Sequence, residues 1–115
     1  MGFDRRRAPR ERRQTARVAA VFAVKKAFGR QVQLCQAEDI APSGMTIKRP
    51  RGSPALPRAE VSLSFSLPGS REEISARGLV VSDGVLGPFR RTGLRFIALR
   101  PDHVQLIAGY CRRVR

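Results

Sequence analysis

The segment EVSLSFSL at residues 60–67 decides the fold class. Its apolar side chains alternate with a glutamate or serines, and successive side chains of a β-strand point to opposite faces of a sheet. One face is therefore expected to enter a core while the other meets water. Pro68-Gly69 follows directly and predicts a turn, so the chain should continue as another strand, over about residues 73–82.

Four further segments have β-like composition and are separated by breaks rich in glycine or proline. They predict strands over residues 18–28, 31–38, 44–49 and 91–98, with breaks at residues 29–30, 51–57, 83–84 and 87–88. In the second strand Val32, Leu34 and Cys35 are the apolar candidates against glutamines, and the alternation at Val32 and Leu34 favours their face as the one that enters the core. Six short strands at this spacing favour a mainly β fold, a closed or nearly closed antiparallel barrel.

A helix is predicted to end the chain, beginning at Pro101 and running to about Arg112. Its apolar positions follow an i, i+3, i+4, i+7 pattern that forms one stripe, widened by two neighbours. The stripe consists of Val104, Ile107, Ala108 and Cys111, and the neighbours are Leu106 and Tyr110. We expect this helix to plug or cover one end of the barrel.

The charge balance indicates which classes of molecule the chain would attract. The 115 residues include 23 Lys and Arg against 9 Asp and Glu, a net charge of +14, which attracts nucleotides, nucleic acid or an anionic membrane face. Residues 1–30 carry ten basic and two acidic residues, or +8. The first part of this region lacks apolar periodicity, so we expect residues 1–11 to be a flexible basic arm and residues 12–115 the folded domain. With no spanning apolar run and no secretory signal, the sequence predicts a cytoplasmic location.

Groups suited to catalysis or metal binding are scarce. His103 is the single histidine and is expected to be a surface or capping residue. Cys35 and Cys111 are expected to be small core residues, because free cysteine is mostly buried. Glu72 and Glu73 are adjacent, so on a strand they would point to opposite faces. The sequence therefore predicts no catalytic residue, no metal site and no enzyme.

Two short motifs carry groups suited to binding a guanine nucleotide. The first is RRQTAR at residues 12–17, and the second is DIAPSG at residues 39–44, predicted as the turn between the second and third strands. Arginine presents a forked pair of N–H donors to phosphate or guanine acceptors. A carboxylate complements the opposite edge of guanine, where N1–H and the amine are donors. Gly44 allows close backbone approach of a ligand.

In this order and spacing, the two motifs resemble those of the PilZ domain family, bacterial receptors for cyclic di-GMP. The family signature is RxxxR before the first barrel strand and [D/N]xSxxG at a β-turn. The segment GLRF at residues 93–96, followed by a terminal helix, is also similar to the family pattern, and the likeness extends from Arg12 to the C-terminus. The resemblance implies a six-stranded antiparallel PilZ-type barrel with a C-terminal helix.

The same resemblance implies a cyclic di-GMP site. Arg13 and Arg17 would contact guanine edges and phosphates, and Arg12 would add a phosphate contact or stack on a base. Asp39 would accept hydrogen bonds from guanine, and Gly44 would keep the turn open. Ala41 stands where the family usually has serine, and a missing hydroxyl hydrogen bond costs about 0.5–1.5 kcal/mol, or up to roughly tenfold in affinity.

The function implied is that of a non-catalytic receptor whose arm folds over cyclic di-GMP and which signals through a partner protein. Two alternatives remain open. A basic nucleic-acid-binding module suits the charge, but interleaved aromatic residues for base stacking are lacking. A PilZ-like adaptor without ligand is the other, and Ala41 is its best support. The arginines could also form a solvated arm, and Asp39 could simply cap its turn.

Overall fold

A computed structural model describes residues 17–52 and 54–114. The predicted arm, together with Arg12 and Arg13, lies outside the described residues. The elements, in chain order, are β1 (Val18–Phe28), β2 (Gln31–Ala41), β3 (Gly44–Pro50), β4 (Glu60–Phe65), β5 (Ile74–Leu86), β6 (Phe89–Leu99) and α1 (Pro101–Val114).

The six strands form a closed antiparallel barrel in the order β1-β2-β3-β6-β5-β4. This confirms the fold predicted from the strand count and spacing. Closure depends on two pairings between strands distant in sequence. One joins β1 to β4 around Val24 and Phe65, and the other joins β3 to β6 from Gly44 opposite Arg95 to Pro50 opposite Phe89.

Two predicted strand boundaries are wrong. β5 continues through Asp83 and Gly84 and ends at Leu86, because Asp83 pairs with Thr92 in a regular ladder with β6. β2 continues to Ala41, so Asp39 and Ala41 belong to a strand rather than a turn. In both places the partner strand supplies hydrogen bonds that outweigh the local preference of Asp and Gly for turns.

The face of β2 that enters the core also differs from the prediction. Val32 and Leu34 are 62% and 73% exposed, whereas Cys35 is buried. The hairpin turn at Gly29, whose φ is +59°, pairs Phe28 with Gln31 and therefore places Cys35 opposite the fully buried Val24. Cross-strand partners share a face, so this turn fixes which side chains enter the barrel.

Helix α1 packs against the end of β2. Ile107, Tyr110 and Cys111 join the core, and the Cys111 Sγ lies 3.5 Å from the Ile40 carbonyl oxygen, which accepts its hydrogen bond. The predicted apolar stripe is confirmed at Ile107 and Cys111. The burial of both cysteines, predicted from their residue type, is also confirmed.

The prediction for His103 is wrong, since this side chain is only 3% exposed. Helical periodicity places His103 one turn before Ile107, on the face that packs on the barrel. Val104, by contrast, is only half-buried.

Candidate functional site

Arg17, Asp39 and Thr46 meet on the outer surface of the barrel and are called the Arg17 cluster below. The Arg17 Nη1 donates to the Asp39 Oδ1 at 3.3 Å and to the Thr46 Oγ1 at 2.7 Å. The backbone N–H of Thr46 donates to the same Asp39 oxygen at 3.0 Å. Arg17, the last residue of the RRQTAR motif, is thus hydrogen-bonded to Asp39, the first residue of the DIAPSG motif.

Strand pairing explains why these residues meet. Asp39 pairs with Ala19 on one side and with Thr46 on the other, so it lies between the start of β1 and the start of β3. The register of β2 shifts between Ala37 and Asp39, and such bulges redirect side chains relative to a regular strand. Arg17 precedes β1 directly and therefore reaches the Asp39 carboxylate.

The cluster is partly open to water. The Arg17 and Asp39 side chains are 36% and 31% exposed, and an ion pair in that setting contributes about 0–1 kcal/mol to stability. A ligand that replaced this contact would therefore cost the fold little. The arrangement offers a guanidinium, a carboxylate and a hydroxyl to one approaching molecule.

Gly44 and Ala41 pair with each other where β2 and β3 meet, and both are buried. A Cβ at Gly44 would overlap the Leu94 carbonyl oxygen, so glycine is required for the close approach of β3 to β6. Ala41 is fully buried, with 0% of its surface exposed. The ligand contacts predicted for these two residues stay predictions, as do those of Arg12 and Arg13, which lie outside the described residues.

A shallow groove of about 360 Å³ borders the cluster and includes Thr46, Ser82, Gly84 and Arg91 in its lining. Gly93 separates Thr46 from Ser82 across the sheet, and a Cβ at Gly93 would overlap the Ser82 Oγ. Sequence reasoning missed Thr46. The sequence could have indicated Thr46, because it lies two residues after Gly44 on β3. Successive side chains of a strand alternate between the two faces, so Thr46 is expected on the outer one.

Other charged side chains of the described residues pair with one another outside the Arg17 cluster. Glu38 accepts a hydrogen bond from the Arg91 Nε at 2.8 Å and lies 3.8 Å from the Lys48 Nζ. The potential metal-ligand atoms of Glu72, Asp102 and His103 lie within 4.8 Å of one another, but Asp102 is held by two hydrogen bonds from Arg100. No described helix has the length and apolar character needed to cross a membrane.

Comparison with known proteins gives a family match and several similar structures. The family model of the PilZ domain matches residues 4–113. The inhibitor of motility MotI/DgrA of Bacillus subtilis is similar with a TM-score of 0.81 and 20% identity, over 90% of this chain and 51% of that chain. The chain thus spans about half the length of that protein.

Two further similar structures were solved with a ligand. The PilZ domain of YcgR from Escherichia coli, with c-di-GMP, has a TM-score of 0.70 and 14% identity, over 90% of this chain and 95% of that chain. PlzA of Borreliella burgdorferi, in complex with c-di-GMP, has a TM-score of 0.57 and 16% identity, over 88% and 36% respectively. At these identities the likeness shows a common fold. Comparison with curated protein sequences gives no match.

Proposed function

The chain belongs to the PilZ domain family, and from this membership we propose that it is a non-catalytic receptor for cyclic di-GMP. The observation that carries the proposal is the Arg17 cluster, in which Arg17 of the RxxxR motif donates a hydrogen bond to Asp39 of the DxAxxG motif on an exposed face. The YcgR and PlzA structures, each solved with c-di-GMP on the same fold, support it.

The proposed binding reaction exchanges partners within the cluster. In the free protein the Arg17 guanidinium rests against Asp39 and Thr46. Cyclic di-GMP would draw Arg17, with Arg13, onto its phosphates and guanine acceptors, where forked charge-assisted hydrogen bonds are strong. Asp39 would then accept hydrogen bonds from the guanine N1–H and amine.

The remaining predicted site residues have supporting parts in this proposal. Arg12 would contact a phosphate or stack on a base. Gly44 and Ala41 would form the floor beneath Asp39, since both are buried there. Because Ala41 lacks the hydroxyl usual in the family, we expect an affinity up to roughly tenfold below that of a serine-bearing site.

Signalling is proposed to pass through an effector protein in the cytoplasm. Binding would draw the basic segment that carries Arg12 and Arg13 against the barrel and so alter the surface that the effector contacts. No metal or additional cofactor is needed for such a step, because the ligand itself supplies the differential contacts.

The decisive experiment is calorimetry of the full chain with cyclic di-GMP and with cyclic di-AMP, whose base lacks the N1–H and 2-amine donors of guanine. We expect a preference for cyclic di-GMP that Asp39→Ala abolishes. Glu60→Ala is the matched control, because Glu60 is an exposed carboxylate paired with Arg77 at 2.9 Å on another face. This control should bind as the parent does.

The result also separates the two alternatives. A nucleic-acid-binding module would bind DNA or polyphosphate at least as well after Asp39→Ala, because the chain becomes more basic. An adaptor without ligand would bind neither dinucleotide. Equal affinity of the parent and Asp39→Ala for cyclic di-GMP would contradict the proposed receptor.

A further inference from the structure

The end of the barrel away from α1 carries an exposed apolar surface, called the apolar rim below. The β1–β2 turn, the β5–β6 turn and the end of β3 all lie there. Helix α1 lies at the opposite end, where Cys111 contacts Ile40 near the end of β2. The rim consists of six side chains that are each 38–73% exposed: Phe28, Val32, Leu34, Leu56, Leu86 and Phe89.

The first half of the rim is formed by the β1–β2 hairpin and the loop after β3. Phe28 and Leu56 line one pocket, and Val32 and Leu34 line a groove with Pro50. The pocket and the groove share lining residues, so this surface is continuous. Val32 and Leu34, whose alternation with glutamines predicted a core face, thus form an outer face that the barrel leaves uncovered.

The second half of the rim is the β5–β6 hairpin. Phe89 pairs with Pro50 on one side and with Leu86 on the other. The Arg51 backbone N–H donates to the Pro88 carbonyl oxygen at 3.0 Å and holds the end of β3 against this hairpin. The rim is therefore one contiguous surface. Contiguous exposed apolar patches mark sites of interaction with proteins or membranes, whereas single exposed apolar residues carry no such meaning.

Exposed basic side chains surround the rim. Lys25 and Arg30 lie on the β1–β2 hairpin, and Arg51 and Arg58 lie on the loop between β3 and β4. All four are exposed. Within residues 17–52 and 54–114, none of these four side chains has an ion-pair partner. Their charge is therefore available to a partner.

The acidic side chains near the rim do not offset this charge. Each one already has an arginine within 2.9 Å: Asp83 has Arg90, Glu38 has Arg91, and Glu60 has Arg77. A fifth cation, Lys48, lies 4.6 Å from the centre of the Phe89 ring and so borders the apolar surface directly. The rim thus combines apolar side chains with a surplus of positive charge.

From these observations we propose that the apolar rim docks the protein onto an anionic lipid bilayer. The apolar side chains would enter the boundary between head groups and acyl chains, and the four cations would contact lipid phosphates. A nucleic acid would satisfy the cations but leave the aliphatic side chains exposed. An acidic protein would need a surface shaped to two hairpin turns and a loop, whereas a fluid bilayer accommodates such projections.

The proposed docking is independent of the proposed receptor function. The Arg17 cluster lies at the start of β1 and Phe28 at its end, which is roughly 36 Å of extended strand. A bilayer at the rim would therefore leave the Arg17 cluster open to cyclic di-GMP.

The test is co-sedimentation of the full chain with vesicles, either of equal parts phosphatidylglycerol and phosphatidylcholine or of phosphatidylcholine alone. We expect binding to the anionic vesicles that weakens as salt is added, because salt screens the attraction, and little binding to the neutral ones. Leu34→Ser should weaken binding to the anionic vesicles by about fivefold or more, because an apolar side chain is lost from the interface. Val21→Ser is the matched control, since Val21 is 70% exposed but lies outside the rim, and it should bind as the parent does.

Charge reversal tests the cations separately. Arg30→Glu should weaken binding to the anionic vesicles by about tenfold or more, because each basic residue near an anionic bilayer contributes about fivefold. Arg113→Glu makes the same change in net charge on the exposed face of α1, at the other end of the barrel, and should have a much smaller effect. Leu56→Ser guards against loss of the fold, since Leu56 lies in a loop outside every strand, and it should act as Leu34→Ser does.

Four results would overturn the proposal. They are no binding of the parent to anionic vesicles, an equal effect of Leu34→Ser and Val21→Ser, an equal effect of Arg30→Glu and Arg113→Glu, and binding to polyglutamate that Leu34→Ser weakens. The last result would assign the rim to an acidic protein. Asp39→Ala should keep vesicle binding and Leu34→Ser should keep cyclic di-GMP binding, so failure here is distinct from failure of the cyclic di-GMP proposal.

Discussion

The two ends of the barrel use cationic side chains in opposite ways. At the Arg17 cluster the guanidinium is partly exposed and already faces a carboxylate. At the end where β1 and β3 terminate, Lys26 and Arg49 are buried, and the nearby Asp83 is held by Arg90. An exposed pair exchanges partners at little cost, whereas a buried cation carries a desolvation penalty. The same kind of residue thus faces an exchangeable partner at one end and is enclosed by the fold at the other.

The largest effect is expected where the Arg17 end is packed most tightly. Gly44→Ala places a methyl group onto the backbone carbonyl of Leu94, which cannot move without opening the β3–β6 pairing. We expect a loss of about 3 kcal/mol or more in the free energy of unfolding, measured by urea denaturation. Gly84→Ala is the control, since nothing lies within 4 Å of its Cβ position. Equal stability of the two variants would contradict the packing role.

Arg17→Ala tests whether the exposed end serves binding more than stability. Loss of a charge-assisted contact should weaken cyclic di-GMP binding by about 10- to 150-fold, or about 1.5–3 kcal/mol. The melting temperature should change little, because the Arg17–Asp39 pair is exposed. Arg77→Ala removes another exposed, paired arginine and should leave binding intact. If both variants lose affinity alike, bulk charge rather than the cluster governs binding.

Asp83→Asn tests the charge balance around Lys26. Burial alone would raise the pKa of Asp83, but hydrogen bonds from Thr92, Arg90 and Ala55 and the Arg90 charge bring it below its usual 3.8. The charged form thus contributes stability above pH 3.8, which is lost as the pH falls through the lowered pKa. We expect Asp83→Asn to cost about 1–2 kcal/mol at pH 7. The difference from the parent should shrink in acid, and a constant difference would argue against this titration.

Lys26→Met should have the smallest effect and the opposite sign. It replaces a buried cation with an apolar chain of similar length, which often stabilises a protein, here by about 1 kcal/mol or roughly 4–8 °C in melting temperature. Lys25→Met should change stability little. Destabilisation by Lys26→Met would mean that the surroundings of Lys26 already balance its charge.

The elements that depend on local sequence patterns were predicted correctly. The alternation in residues 60–67 predicted β4, and the apolar stripe after Pro101 predicted α1. The prediction for Leu34 failed, because the strand register decides which side chains of β2 face the core. That register is set by the two-residue hairpin turn between β1 and β2. The burial of His103 likewise followed from packing against the barrel rather than from residue type.

The candidate site was predicted only in part for the same reason. Arg17 and Asp39 could be identified from their motifs, and the structure brings them together. Thr46 joins them through strand pairing, which composition does not report. Lys26 and Arg49 belong to neither motif. They meet only when β1 and β3 are joined within a closed barrel.

The β3–β6 seam has a further consequence, for the order in which the protein folds. It pairs Gly44 with Arg95 and Pro50 with Phe89, residues far apart in sequence. Closing such long loops costs chain entropy before any contact repays it, so barrels of this kind fold in milliseconds to seconds rather than microseconds. During synthesis the hairpin of β1 and β2 emerges early, and β3 keeps a bare edge until β6 follows. A nascent chain paused before β6 would therefore expose an unpaired strand, which is the condition under which β proteins associate with one another.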